Sequence, residues 1–144
     1  MSFKLTYATM FDPPEELHQR FEAAMARVAS QLSRRHPLYL AGEDRETPAV
    51  LQKLNPANEQ QLLGEFAAAT RADADAALRA AHAAWPDWKD TPTAERARLL
   101  RRAGQLIEER VYDIAAALTL EVGKNRMEAL GEAQEAADFF PVYC

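Results

Sequence analysis

Four acidic side chains recur at helical spacing near the end of this 144-residue chain. If residues 126–140 form a helix, Glu128, Glu132 and Glu135 lie on one face, and Asp138 follows them. Like charges at this spacing repel one another, so one interpretation is a solvated face beside a core face of alanines. The alternative is that one carboxylate points into a pocket and pairs with a cationic group. The spacing alone leaves both open.

Other residue types that support catalysis are isolated in the sequence. Cys144 is the only thiol and has no following chain to activate it. The three histidines, His18, His36 and His82, are far apart, and each falls on or at the end of a predicted helix. The glycines are scattered, and no Cys/His pair has metal-ligand spacing. We therefore predict no catalytic and no cofactor-binding residue in this chain.

The composition restricts the classes of partner. Apolar residues make up 48% and charged residues 27% of the chain, as in ordinary globular proteins. The net charge of −5 argues against nucleic-acid binding, which requires a basic surface. No apolar run approaches the roughly 20 residues that span a bilayer, and the N-terminus lacks the pattern of a signal peptide. With a single cysteine, we expect a cytoplasmic protein that binds neither nucleic acid nor membranes.

The elements that would position these residues begin with one helix and several short strands. Asp12-Pro13-Pro14 is a helix start, and the apolar stripe that follows predicts about 20 helical residues, ending at His36-Pro37. Residues 38–40, 50–54 and 62–66 are short apolar or alternating runs separated by turn sequences, among them Ala41-Gly-Glu-Asp. They predict three strands, two of which form a hairpin.

A second helical region follows the strands. Thr70 with Asp73 three positions later is a capping signal. The pattern that follows is rich in alanine, which permits close helix packing, and contains Pro86. Proline interrupts helices, so we expect this helix to break near Trp85.

Two further helices complete the predicted order. The third begins at Thr91-Pro92 and runs to a stop at Gly123. The fourth covers residues 126–140, although Pro141 opposes helix beyond about residue 137. The chain ends on mostly apolar residues, which are expected to pack against something. We therefore interpret the chain as the front end of a larger protein with a mostly α fold and a small antiparallel three-strand element.

Several stretches, in their order, resemble the N-terminal region of aldehyde dehydrogenases. They lie at residues 37–43, 54–58, 76–88, 95–103 and 120–125. The helical segment at 12–36 and the sequence from Glu128 to Phe139 resemble one branch of this family, the 1-pyrroline-5-carboxylate dehydrogenases, which oxidise glutamate γ-semialdehyde in proline breakdown. The resemblance covers nearly the whole chain.

The resemblance implies a Rossmann-like α/β fold of which this chain is only a part. Residues 1–36 would be an N-terminal extension and helix, and residues 37–144 an incomplete N-terminal part of the NAD-binding domain. An intact enzyme would use a cysteine nucleophile, transfer hydride to NAD or NADP and form a homo-oligomer. The nucleophile and the cofactor-gripping loop would lie outside these residues, so the chain alone is expected to be inactive and to bind no cofactor.

Two site residues follow from the resemblance. Glu135 matches a family glutamate near the substrate's amino group, which would select amino-acid-like aldehydes through a carboxylate–ammonium pair. Glu121 matches an acidic position near a structural monovalent-cation site, where most ligands would be backbone oxygens.

Three hypotheses remain at the level of sequence. The leading one is an N-terminal fragment of an aldehyde dehydrogenase of the glutamate-semialdehyde type, whose partner is the missing C-terminal part. The second is a small, non-enzymatic helical module that interacts or oligomerises through its apolar end. The third is a split enzyme whose other half is a separate, complementary chain.

Overall fold

The computed structural model describes residues 12–144, and the first part of the predicted N-terminal extension lies outside this range. The described residues form five helices and five strands. In chain order these are α1 (Glu15–Ala29), β1 (Arg34–His36), β2 (Leu38–Leu40), β3 (Glu43–Arg45), β4 (Val50–Asn55), β5 (Asn58–Ala67), α2 (Arg71–Asp90), α3 (Thr93–Glu109), α4 (Val111–Val122) and α5 (Arg126–Tyr143). The mostly helical fold with a small β element is thus confirmed.

The first helix is shorter than the sequence predicts. α1 ends at Ala29, where the Ser30 hydroxyl donates to the carbonyl of Arg27 at 2.7 Å. Residues 34–36 then form β1 instead of the end of a helix, so His36 lies on a strand. The reason is long-range pairing: β1 runs parallel to β5, with Arg34 opposite Gly64. Pairing partners distant in sequence override the local helical pattern.

The predicted hairpin is formed by β4 and β5. These strands pair antiparallel from Val50–Ala67 to Asn55–Asn58, and with β1 they make a sheet in the order β1-β5-β4. At the turn, the side-chain carbonyl of Asn55 accepts from the Ala57 backbone N–H at 2.8 Å, an arrangement typical of tight turns.

A second hairpin joins β2 and β3 around Ala41 and Gly42, both with positive φ. The sequence places residues 43 and 44 in the turn, whereas they belong to β3 and pair with β2. The turn is therefore shorter than predicted, because the left-handed conformations of Ala41 and Gly42 reverse the chain within two residues.

The helix α2 runs without interruption through Pro86, so the predicted break near Trp85 is wrong. Its start is as predicted: Thr70 and Asp73 form a capping box, with Thr70 Oγ1 accepting from the Asp73 N–H at 3.3 Å. Proline removes the hydrogen bond to the carbonyl of His82. Because His82 is exposed, water can replace that donor and the helix continues.

The predicted third helix is two helices, separated at Arg110 (φ −113°, ψ 14°). α5, in contrast, is longer than expected and continues through Pro141 to Tyr143. Pro141 lies in the last turn, so few backbone bonds are lost there. Phe140 packs against Gly104 of α3, and this contact holds the end of α5 in place.

The core lies between α1, α4 and α5. Its large side chains come from α1 and, with Leu130, from α5, and alanines of α4 and α5 between them allow close approach. The cluster consists of Leu17, Phe21, Ala115, Ala129, Leu130 and Ala133. Within the described range, no helix has both the length and the apolar character needed to cross a membrane.

Candidate functional site

The helix α5 carries the predicted acidic face and is fixed on its opposite side. The Asn125 side chain caps its start, accepting from the backbone N–H groups of Met127 (3.1 Å) and Glu128 (3.0 Å). Buried residues at 129, 130, 133, 134 and 137 pack it against its neighbours. The face that carries the glutamates therefore points away from the core.

The three glutamates of this face are exposed but not equivalent. Glu132 forms an ion pair with Lys124. The carboxylates of Glu128 and Glu135 have no hydrogen-bond or ion-pair partner within residues 12–144. Asp138 lies elsewhere on the helix, where the buried Gln134 side chain donates to it at 3.1 Å. Among the described residues, Glu135 is thus an unpaired carboxylate that can accept a cationic group.

The same face becomes apolar beyond Glu135. Phe139 and Val142 follow at helical spacing and are exposed, and the Phe139 and Tyr143 rings are 5.9 Å apart. Phe140 instead faces Gly104. We name the surface formed by Glu128, Glu132, Glu135, Phe139 and Val142 the α5 face. A carboxylate beside aromatic and aliphatic groups suits a ligand with an ammonium group and a carbon chain.

The other predicted site residue, Glu121, lies exposed in the last turn of α4. Gly123 follows it with a left-handed conformation and ends the helix as predicted. Between residues 12 and 144, no three His, Cys, Asp or Glu side chains are grouped to hold a metal ion. The cation-site role of Glu121 remains a prediction.

His36 and His82 lie on other elements than α5, and the thiol of Cys144 follows the end of α5. His36 stacks on Phe66 with ring centroids 4.8 Å apart, and His82 is exposed on α2. Cys144 is half-buried, and its carbonyl accepts a hydrogen bond from Arg101. None of these contacts joins a nucleophile to a general base.

The glycines show how far the described residues fit a dinucleotide. Gly42 lies in a β-turn, Gly64 within β5, Gly104 within α3, Gly123 at the end of α4 and Gly131 within α5. None forms part of a strand–loop–helix junction that could surround a pyrophosphate. Residues 12–144 therefore do not fit the cofactor's phosphates, and we assign no cofactor step to them.

One residue with several contacts escaped the sequence analysis. Arg126, the first residue of α5, pairs with Glu22 and donates to Nδ1 of His18 at 2.7 Å. Its guanidinium also lies 4.8 Å from the centre of the Phe21 ring. All three partners belong to α1, about a hundred residues away in sequence. No local pattern could have indicated these contacts.

The start of α4 is also held by α1. Arg27 pairs with Asp113 at 2.5 Å, and the Arg20 guanidinium lies 4.2 Å from the centre of the Tyr112 ring. Burial raises the pKa of the Tyr112 hydroxyl, and the positive charge of Arg20 opposes that rise only in part. α1 is thus attached to both α4 and α5.

Comparison with known proteins decides the family. The sequence model described as "Aldehyde dehydrogenase family" matches residues 43–144, which is most of the chain. This chain belongs to the aldehyde dehydrogenase family. Helix α1 precedes the matched range.

Individual members of the aldehyde dehydrogenase family extend the likeness to α1. A 1-pyrroline-5-carboxylate dehydrogenase of Staphylococcus saprophyticus is 35% identical over 125 residues, which are 87% of this chain and 24% of that protein. The structure of a 1-pyrroline-5-carboxylate dehydrogenase from Thermus with bound NAD has a TM-score of 0.88 and 37% identity, covering 97% of this chain and 27% of that one.

A third match is a more distant aldehyde dehydrogenase relative. The 1-pyrroline-5-carboxylate dehydrogenase of Mycobacterium tuberculosis, with NAD and cobalamin bound, has a TM-score of 0.81 and 29% identity over 90% of this chain and 25% of that one. The chain thus spans about a quarter of the length of the relatives it matches. The predicted resemblance to this family, and to its 1-pyrroline-5-carboxylate dehydrogenase branch, is confirmed.

Proposed function

We propose that these 144 residues are the N-terminal quarter of an NAD-dependent dehydrogenase that oxidises glutamate γ-semialdehyde. The observation that carries the proposal is the likeness to 1-pyrroline-5-carboxylate dehydrogenases over almost the whole chain, α1 included. The Thermus relative binds NAD, and NAD accepts hydride in such reactions. The partner of the chain is the remaining three-quarters of the enzyme.

In this proposal Glu135 recognises the substrate. Its carboxylate is exposed and has no partner among residues 12–144, so no cation of this segment competes for it. Glutamate γ-semialdehyde carries an ammonium group, which a carboxylate binds through a charge-assisted hydrogen bond. Phe139, one helical turn further on, offers an apolar surface to the carbon chain beside it.

The chain on its own is proposed to be inactive. Residues 12–144 lack a nucleophile beside a base and a cradle for the cofactor's phosphates. They would supply a scaffold and a part of the substrate pocket. Glu121 is proposed to stand near a monovalent-cation site whose other ligands include backbone oxygens.

The experiment compares the 144-residue chain with the polypeptide translated from the complete reading frame that contains it. NADH formation is followed with glutamate γ-semialdehyde and with propanal, which lacks the ammonium group. We expect turnover only from the longer polypeptide, with a preference for the semialdehyde. Turnover by the chain alone would contradict the proposed inactivity, and a longer polypeptide that ignores the semialdehyde would contradict the substrate.

The role of Glu135 is tested by Glu135→Gln in the longer polypeptide, with Glu128→Gln as the matched control on the same face. Losing one charge-assisted hydrogen bond should raise KM for the semialdehyde roughly 10- to 100-fold. The kcat/KM for propanal should stay the same, and Glu128→Gln should change neither. An equal decrease in kcat/KM for both aldehydes would show that Glu135 does not bind the ammonium group.

A further inference from the structure

The helix that carries Glu135 is attached at its first residue to an element outside the matched family range. α5 begins at Arg126, and the ion pair, the histidine hydrogen bond and the ring contact of the Arg126 side chain are all with α1. α1 covers residues 15–29, whereas the family match begins at residue 43. The Thermus 1-pyrroline-5-carboxylate dehydrogenase structure matches 97% of this chain, so its likeness includes α1.

The contacts of Arg126 tie the first turn of α5 to α1 in three directions. A guanidinium group donates in fixed directions, and here one nitrogen reaches the Glu22 carboxylate while another reaches Nδ1 of His18. Arginine has no acceptor, so Nδ1 of His18 is the acceptor in this contact. The ring of Phe21 stacks beneath the guanidinium. Three partners in different directions leave α5 little freedom to turn about its axis.

Below Arg126, a buried apolar cluster also connects α1 with α5. Leu17 and Phe21 of α1 are 1% and 3% exposed and share one buried cluster with Ala115 of α4 and with Ala129, Leu130 and Ala133 of α5. The buried side chains of α5 and those of the α5 face belong to the same helix. A rotation of α5 about its axis that moves the buried side chains therefore also moves Glu135.

We propose that α1 acts as a positioning element for the α5 face and that Arg126 is the positioning residue that sets the orientation of Glu135. This inference rests on the proposed function of Glu135. It adds that α1 contributes to substrate recognition by orienting this residue. Arg126 itself lies nine residues before Glu135 and is engaged with α1, so it acts through the helix and not on the ligand.

Hydrogen exchange of the 144-residue chain tests the attachment without any catalytic assay. We compare Arg126→Ala with Arg126→Lys. Arg98→Ala is the matched control, since the Arg98 side chain is exposed and pairs only within α3, with Glu95. Arg126→Ala should speed exchange in α1 and α5 by roughly tenfold and leave β4 and β5 unchanged. Arg126→Lys keeps the pair with Glu22 and should show a smaller effect, and Arg98→Ala should show none in α5.

Two results would overturn the inference. Unchanged exchange in α5 would show that Arg126 does not hold the helix, and faster exchange throughout, including β4 and β5, would show a general loss of stability. In the polypeptide of the complete reading frame, Arg126→Ala should raise KM for glutamate γ-semialdehyde several-fold while kcat for propanal stays the same. If Glu135→Gln has no effect there, the substrate proposal fails, and the exchange result still decides whether Arg126 positions α5.

Discussion

Gly104 is the residue that allows α3 to lie against the end of α5. A Cβ at this position would be 2.7 Å from Cβ and 2.9 Å from Cγ of Phe140, closer than atoms can pack. Both atoms sit near the α5 backbone, so a rotamer change of Phe140 cannot relieve the contact. The glycine therefore sets the distance between two helices, one of which carries Glu135.

Gly104→Ala tests this contact. Alanine favours a helix interior over glycine by about 1 kcal/mol, but overpacking costs about 1–3 kcal/mol. We expect the overlap to prevail and to lower the free energy of unfolding, measured by urea denaturation. In a Phe140→Gly background both overlapping atoms are absent, and the same substitution should become stabilising. A stabilising effect of Gly104→Ala alone would show that the helices separate at little cost.

At the scale of elements, α2 depends on its capping box. Asp73 accepts from the Thr70 hydroxyl at 2.7 Å and the Thr70 backbone N–H at 2.9 Å, and these bonds, with the Arg45 charge, hold the pKa of Asp73 below its usual range. A carboxyl whose folded pKa is depressed stabilises the fold above its unfolded pKa. That contribution disappears as the pH falls from about 4 through the lower folded pKa.

The fluorescence of α2 can follow this titration, because both tryptophans of the chain, Trp85 and Trp88, lie on it. Below about pH 4, the tryptophan transition in urea should move to lower denaturant. In Asp73→Asn this shift should be smaller, since the amide does not titrate. Asp75→Asn, an exposed acid in the same turn, should retain the full shift. An identical acid response in all three proteins would exclude Asp73 as its source.

The elements also show what the sequence could predict. Helix starts with local chemistry, such as Thr70 with Asp73, and the end at Gly123 were predicted correctly because neighbouring residues determine them. The end of α1 was predicted wrongly, because Arg34–His36 pairs with a strand about thirty residues away. Pro86 and Pro141 were overestimated as helix breakers, since water or packing compensates for the missing donor.

In the candidate site, too, the sequence could predict the features that depend on neighbouring residues and not those that depend on distant ones. The spacing of Glu128, Glu132 and Glu135 was enough to predict that they share one helix face, and in the structure they do. It left open whether that face is solvated or directs a carboxylate into a pocket. The role of Glu135 came only from the family resemblance and stays a prediction. The attachment of Arg126 to α1 depends on partners about a hundred residues away, so only the folded chain reveals it.

At the scale of the whole molecule, large apolar side chains remain exposed on separate faces. They lie on α2 (Leu78, Trp85), on the β4–β5 sheet (Leu51, Phe66) and at the end of α5 (Phe139, Val142, Tyr143). Exposed apolar clusters mark surfaces that contact other protein. Since the matched relatives are about four times as long, this pattern agrees with a segment whose faces are covered by the rest of an enzyme.

The end of α5 offers the clearest test of this view. Val142 and Tyr143 are 74% and 80% exposed, so changing both to serine removes apolar surface without opening the core. We expect the 144-residue chain to bind the apolar dye ANS and to associate with rising concentration in sedimentation velocity, and the double variant to do both less. Tyr39→Ser is the control, because Tyr39 is 73% exposed but lies on the β2–β3 hairpin.

The outcome also separates the fragment from the interaction module. A segment of a larger enzyme should form no single defined oligomer, because its apolar faces fit surfaces that another copy does not have. A monodisperse oligomer that excludes ANS and dissociates in the Val142→Ser, Tyr143→Ser variant would mean that the α5 end is a self-complementary interface. In that case the glutamates of the α5 face would lie beside a contact between copies, and substrate recognition by Glu135 would lose its physical basis.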